Sequence, residues 1–434
     1  MVERRVHLEH ISMYKDTPQL VKIITGVRRS GKSSLMDLFH EYLQKQGVAS
    51  SSIIHINFEE FDFRSIRTAA GLHTWVTERV SKTGKTYILL DEIQMVEEWE
   101  DAVNSLRLKR SYDVYITGSN AKLLSGQLAT RLSGRYVEIK MMPFSFKEFM
   151  NAYGMSDPVE ALNQYMRRGG LPGLLDLPSN ATIVNEYLDG VVNTIIVKDI
   201  ATFAQIRDID MLRKVIAFLA SNIGQQLTAS KIAHYLTSTG RKVTLDTIDN
   251  YLGLLEEAFI FYRAGRYDIK GKNLMKTNHK FYIVDLGLRN ALVGPMLKDY
   301  GASLENVVYL ELIRRGYEVS TGKYQDFEID FITERQDEKC YIQVCASMLE
   351  ESTREREIRS LHAVHDNYPK YILSMDRLPY NDYEGIRQIY IPDFLLGSEE
   401  LGQVSWEWTV LRSEYQTKNV LSKVCSQRQG KEHY

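Results

Sequence analysis

The stretch Gly26-Val27-Arg28-Arg29-Ser30-Gly31-Lys32-Ser33 constrains this chain more than any other. It has Walker A spacing, in which successive backbone N–H groups wrap a row of phosphates and the following helix aims its positive end at them. Such a loop works only between a buried strand and a helix. Residues 20–25, before it, are nearly continuous in apolar and β-favouring types. After it, Leu35, Leu38, Phe39, Tyr42 and Leu43 recur at helical spacing. A β-loop-α unit is therefore predicted. Lys32 would reach the β and γ phosphates as a point charge, and the Ser33 hydroxyl would ligate Mg²⁺. The candidate ATP contacts are Gly26, Arg28, Arg29, Ser30, Gly31, Lys32, Ser33 and Ser34.

Further buried runs at 53–58, 86–90 and 114–117, with a fifth at 136–141, alternate with helical segments. That alternation predicts an α/β fold, a parallel sheet covered by helices on both faces. The run Tyr87-Ile88-Leu89-Leu90-Asp91-Glu92 ends in two carboxylates and reads as Walker B. Asp91 would hold magnesium through its water shell, and Glu92 would polarise the attacking water as general base. At the end of the next strand, Ser119 or Asn120 would meet the γ-phosphate. Asn57, ending the second strand, is read either as a residue that restrains the catalytic glutamate or as a plain turn residue.

With 434 residues the chain exceeds what one core usually supports, so several domains are expected. No run approaches the roughly 18 apolar residues of a membrane span. The charged start, with Glu3, Arg4, Arg5 and Glu9, does not read as a signal peptide, so a cytoplasmic protein is expected. Cys340, Cys345 and Cys425 lack zinc-ligand spacing and read as reduced thiols. A net charge of −2 gives no global case for nucleic acid or membrane binding, so any such surface must be local.

The expected organisation is a P-loop domain over 13–150, a helical lid over 151–226, a winged-helix-like module over 227–280, an α/β domain over 281–397 and a tail over 398–434. In the third unit, two helices at 230–236 and 244–257 precede a hairpin at 260–269. From 228 to 280 nine Lys or Arg stand against five Asp or Glu, gathered in the wing. The second helix carries Asp246, Asp249, Glu256 and Glu257, which is wrong for a helix in a phosphate-lined groove. DNA binding through the wing is one reading, and a protein contact or structural role is an equal one.

With Ser133-Gly134-Arg135, the segment 143–149 (Pro-Phe-Ser-Phe-Lys-Glu-Phe) and Gly169-Gly170-Leu171-Pro172, the sequence resembles prokaryotic AAA+ superfamily ATPases that carry a C-terminal restriction-endonuclease-like domain. The resemblance spans roughly 13–396. It implies an ATPase whose lid brings Pro172 near the adenine, and it makes Arg131 and Arg135 candidates for a finger that neutralises charge as the phosphate bond breaks. It also implies a nuclease-type site, for which Glu305 and Asp330 match. The third motif, however, reads Gln343-Val344-Cys345, a weaker metal ligand with no lysine. A lysine from another element, such as Lys323, would have to substitute. The expected function is Mg-dependent ATP hydrolysis coupled to domain rearrangement, with a protein client and a homo-oligomer as candidate partners. An ATP-driven DNA nuclease and a slow nucleotide-gated switch are the rivals.

Overall fold

Ile23 and Ile24 are adjacent on the first strand and fully buried in two different cores, as residues of a strand covered on both faces must be. The computed structural model describes residues 4–402 apart from 82–83, 120–131, 133, 179, 203, 239, 241–242, 295–299, 337 and 379–380. Asn120, Arg131, Arg241, Lys242, Cys425 and nearly all of the tail lie outside the described residues, as does the side chain of Lys276.

The first unit runs α1 (Arg5–Met13), β1 (Val21–Thr25), α2 (Lys32–Lys45), β2 (Ile53–Asn57), α3 (Ala69–Arg79), β3 (Thr86–Asp91), α4 (Trp99–Arg107), β4 (Tyr112–Gly118) and β5 (Tyr136–Lys140). The strands form a parallel sheet in the order β2-β3-β4-β1-β5. All five expected strands are present. Ile11 of α1 and Leu35, Met36 and Phe39 of α2 pack on one face, and Leu72 of α3 with Val103 and Leu106 of α4 pack on the other. Because β4 lies between β1 and β3, the chain segments leaving these three strands meet at one sheet edge, where α/β folds bind ligands.

Next come α5 (Phe146–Tyr153), α6 (Pro158–Arg168), α7 (Ala181–Thr194), a π-helical segment (Ile195–Thr202) and α8 (Ile209–Ser221). Ser145 and Glu148 start α5 with a capping box, while Asp157 with Pro158 starts α6. The rest comprises β6 (Gln226–Leu227), α9 (Ala229–Ser238), α10 (Leu245–Glu257), β7 (Phe261–Asp268), β8 (Asn273–Ile283), α11 (Leu286–Val293), α12 (Tyr300–Arg314), β9 (Glu318–Tyr324), β10 (Phe327–Arg335), β11 (Glu338–Cys345), α13 (Glu351–His362), β12 (Lys370–Ser374), β13 (Asp382–Tyr383), β14 (Ile386–Tyr390) and α14 (Ile391–Leu396).

The hairpin is larger than 260–269. The Asp268 side chain accepts the N–H groups of Lys270 and Gly271 to make the turn, and β8 then returns as far as Ile283. The polar run Lys276-Thr277-Asn278-His279-Lys280 hides this strand from any apolar periodicity. Nor is the hairpin isolated: β7 pairs in parallel with β9, giving one nine-stranded sheet from β13 to β6. The expected boundary at residue 280 falls inside β8.

The Gly169-Gly170 pair docks on the start of α11. A Cβ on Gly169 would lie 2.1 Å from Asp285 Oδ1, and one on Gly287 would lie 2.1 Å from the Arg168 carbonyl oxygen, so neither position admits a side chain. Asp285 accepts the N–H of Gly170 at 2.6 Å and that of Leu288 at 3.0 Å. Burial nevertheless pushes its carboxyl up to about 6, against these backbone donors. A carboxyl raised above its unfolded value favours folding most when protonated. Its contribution is full below about pH 4 and is lost as pH rises through 6, roughly 3 kcal/mol in all. The urea midpoint of Asp285→Asn is therefore expected to vary less between pH 4 and 7 than that of the wild type, and an unchanged slope would remove Asp285 as the cause.

Candidate nucleotide site

The 26–31 loop is shaped by its glycines. Gly26 has φ +146°, and a Cβ there would sit 2.0 Å from the Met141 carbonyl oxygen. Lys32 opens α2 and is buried, with its Nζ donating back across the loop to the carbonyls of Gly26 at 3.0 Å and Val27 at 3.2 Å. Burial pushes its pKa down, opposed by the carboxylates of Glu92, Asp199 and Asp91. Ser30 Oγ is buried without a hydrogen-bond partner. A desolvated ammonium and an orphaned hydroxyl in one backbone-lined loop fit an incoming phosphate chain. Ser33 is exposed and Ser34 half-buried. With the Asp91 carboxylate, the Ser33 hydroxyl makes an all-oxygen donor set of the kind Mg²⁺ takes.

Asp91 ends β3 buried, and its Oδ1 accepts a hydrogen bond from the Thr117 hydroxyl at the end of β4. Glu92 follows in the left-handed region (φ 55°, ψ 48°), a costly conformation for a non-glycine residue. Thr117 stabilises this turn as well, because Glu92 N–H donates to Thr117 Oγ1 at 3.0 Å. The Glu92 carboxylate accepts a bond from Gln94 Nε2. Burial pushes the Glu92 carboxyl up, while the Lys32 ammonium pulls it back. Asn57 Oδ1 accepts the N–H of Glu59 at 2.9 Å, which is the turn reading, and Gln94 makes the contact to the glutamate. Neither Thr117 nor Gln94 stands out in the sequence except as a polar residue at a strand end.

The second carboxylate cluster lies in the large sheet. Lys280 Nζ on β8 is 2.9 Å from Glu305 Oε1, 3.2 Å from Glu328 Oε1 and 3.4 Å from Asp330 Oδ1. The lysine that enters is thus Lys280, counted in the sequence as a wing charge, and not Lys323. Burial alone would lower its pKa, but Glu305, Asp330 and Glu328 together hold it above the ordinary lysine value. Glu305 is pushed up to about 7 by burial and by Asp330. Gln343 accepts the Asp330 N–H at 2.7 Å and donates to Glu357 Oε2 and Ser360 Oγ, both at 3.0 Å, so it stitches β10 to α13. Cys345 is buried in an apolar cluster with Ile329 and Ile372, its thiol pushed up to about 12 by burial. Removing one partner of a buried ion cluster typically costs about 3–5 kcal/mol. Lys280→Ala is expected to lose that much stability at pH 8 and less at pH 6, where Glu305 takes up a proton. Thermal denaturation at the two pH values would check it.

Residues 18–150 match the family model described as an AAA domain. Residues 159–299 match one described as a domain of unknown function (DUF8612). An uncharacterized protein of Haemophilus influenzae is 43% identical over 403 residues, covering 91% of this chain and 99% of its own length. The chain belongs to that protein's family. Uncharacterized protein MJ1544 of Methanocaldococcus jannaschii is 29% identical over 415 residues, covering 91% of this chain and 89% of its own. Among solved structures, the Walker-type ATPase PABY2304 of Pyrococcus abyssi is 16% identical with a TM-score of 0.48, over 67% of this chain and 96% of that one. The AAA match takes in all five parallel strands, so the P-loop, Asp91, Glu92 and Ser119 belong to an AAA-type P-loop fold.

Within the AAA domain, Arg135 is exposed and precedes β5, whose Tyr136 pairs with Val21 at the start of β1. The phosphate loop leaves the other end of β1, about 16 Å away at ~3.3 Å per residue. Arg135 therefore stands at the sheet end away from the 26–31 loop of its own chain. Pro172 sits against the loop: a Cβ on Gly31 would lie 3.6 Å from its Cγ. Arg4, just before α1, is in the sequence merely one charge of a charged start. In the fold it is buried and donates to the carbonyls of Ser30 and Met142, both at 3.0 Å, and to Glu148 at 2.9 Å. From the π-helical segment, Asp199 reaches the same loop, pairing with Arg28 and lying 3.5 Å from Ser119 Oγ. Among the described residues no helix is long and apolar enough to cross a membrane.

Proposed function

We propose that this protein binds Mg-ATP in the 26–33 loop, hydrolyses it, and uses nucleotide state to rearrange the lid and the domains behind it. The observation that carries this reading is the convergence of Lys32, Asp91 and Glu92 on one sheet edge, with Thr117 bonded to the Asp91 carboxylate and to the Glu92 backbone N–H. In the proposed roles, the 26–31 amides and Lys32 cradle the phosphates, and Ser33 and Asp91 hold Mg²⁺. The ion would supply neutralisation of phosphate charge when bound. Glu92 takes a proton from the attacking water, Ser119 orients the γ-phosphate, and Pro172 borders the base. Arg135 acts on the nucleotide of a neighbouring copy.

For the remaining domains, the order α12-β9-β10-β11-α13-β12 supports a restriction-endonuclease-like core. The α9-α10-hairpin order supports a winged-helix module. Lys280 is neutralised internally, and Arg263 is tied to Glu256 at 2.6 Å. The wing is therefore less basic than its sequence count, which favours a protein contact over DNA. Gln343, engaged in hydrogen bonds where the motif calls for an acid, favours a domain that does not cut DNA, whereas Lys280 beside Glu305 and Asp330 supplies the lysine the motif lacks. Phosphate release measured with and without duplex DNA tests the whole reading. Mg-dependent release that DNA does not alter, without cleavage in Mg²⁺ or Mn²⁺, is expected. Tight ATP binding without release would favour the slow switch, and cleavage abolished by Asp330→Ala would favour the nuclease.

A further inference from the structure

Asp199 is an acid 171 residues from the loop it touches. It sits within the eight-residue π-helical segment Ile195–Thr202, a rare geometry that tends to mark functional positions. Its buried carboxylate takes a two-pronged pairing from Arg28, with Nε–Oδ2 and Nη2–Oδ1 both at 3.0 Å. It also lies 3.5 Å from Ser119 Oγ, whose hydroxyl points to Oδ1. Its charge acts on the Lys32 ammonium, second only to that of Glu92. One lid carboxylate thus engages a P-loop arginine, the hydroxyl at the end of β4 and the field of the P-loop lysine. Under the ATP-binding reading given above, these are the groups that would receive a γ-phosphate.

Two anions cannot share those donors, because like charges a few ångströms apart in a buried site repel strongly. Asp199 fills the Nε–Nη2 edge of the Arg28 guanidinium bidentately and Glu59 lies 3.4 Å from its Nη1, so little of it is left for a phosphate. We propose that Asp199 is an internal stand-in for the γ-phosphate, which holds Arg28 and Ser119 in the nucleotide-free and ADP-bound chain and is displaced by ATP. ADP has no γ group and leaves the contact in place. Displacement has somewhere to go. Ile195, Ile196 and Ile200 of the same segment are buried in the core that the lid shares with the C-terminal sheet. A shift of Asp199 away from the loop therefore moves packed side chains of that core. Asp199 is a positioning and sensing residue here and needs no contact with the reacting atoms.

The inference rests on the ATP-binding reading, and the test separates the two. Binding of ADP and of a β,γ-methylene ATP analogue would be measured on the wild type and on Asp199→Asn by displacement of a fluorescent nucleotide. Amide hydrogen exchange of 195–202 would be followed in parallel. In the wild type, the analogue and not ADP is expected to speed exchange across 195–202. Removing the competing charge should tighten analogue binding by about tenfold, the scale of one charged hydrogen bond, while ADP affinity moves by less than about twofold. Weaker analogue binding in the variant, or an equal change for both nucleotides, would overturn the stand-in role and leave ATP binding intact. Equal exchange with both nucleotides in the wild type would do the same, and it decides the matter alone if the variant does not fold. A wild type that binds neither nucleotide would refute the ATP reading itself, and this inference with it.

Discussion

Replacing Lys32 with alanine is expected to abolish measurable ATP binding while leaving the fold in place. The ammonium's two hydrogen bonds to the carbonyls of Gly26 and Val27 are worth about 1.5–3 kcal/mol each, but the substitution also removes a buried charge whose desolvation offsets much of that, so its loss is a modest cost to the folded chain. For the ligand the loss is larger. Lys32 is already buried at the mouth of α2, and burial lowers its pKa, so an anion that arrives there relieves a desolvated charge. Hydrogen bonds between charged groups run about 1.5–3 kcal/mol each, and contacts to two phosphates would together account for a loss of roughly a hundredfold or more in affinity. Calorimetric titration with ATP, alongside a thermal melt of the same variant, checks both halves. Micromolar affinity retained by a folded Lys32→Ala protein would defeat the assignment of the loop.

The features that could be read from the sequence are those written in local periodicity. The strands at 20–25, 53–58, 86–90 and 114–117 are nearly continuous runs of apolar or β-favouring residues, 136–141 interleaves them with Glu138 and Lys140, and the helix after Lys32 is an apolar stripe between a glycine and a polar turn. The helices after β5 begin where Ser145 and Asp157 cap them. Pairings between distant residues have no such signature. Asp199 reads as one acid in an apolar run, Ile195-Ile196-Val197-Lys198-Asp199-Ile200, and only the fold brings it to Arg28. Lys280 counts with the basic wing in the sequence because charge counting is blind to burial, whereas β8 carries it inward to Glu305 and Asp330. Thr117 and Gln94 flank the expected carboxylates within the same two strand ends, yet spacing alone assigns them no role. Arg135 shows the converse. Its motif suggests chemistry, but the register Val21↔Tyr136 places it at the sheet end away from the loop.

For Glu92→Gln, ATP binding is expected to survive and turnover to fall by about a hundredfold or more, since removing a general base typically costs a factor of roughly 10² to 10⁴. The substitution keeps the side-chain volume. The left-handed turn should also persist, because its support is the backbone N–H of residue 92 bonded to Thr117 Oγ1, which the change does not touch. What disappears is the proton acceptor. A second readout separates this role from general disturbance of the site. Burial pushes the Glu92 carboxyl above the ordinary range, and the Lys32 ammonium pulls it only part of the way back. A base works only when deprotonated, so in the wild type kcat/KM, which reports the free enzyme, should rise with pH along a limb displaced upward from the usual carboxylate range. The residual rate of the Gln variant should lack that limb, since no titrating group remains at position 92. Nucleotide affinity should be unchanged or slightly tighter, because one negative charge near the phosphates is gone. Near-normal turnover in the variant, or a limb that persists in it, would move the base to another residue and leave Glu92 as a contact for Gln94 alone.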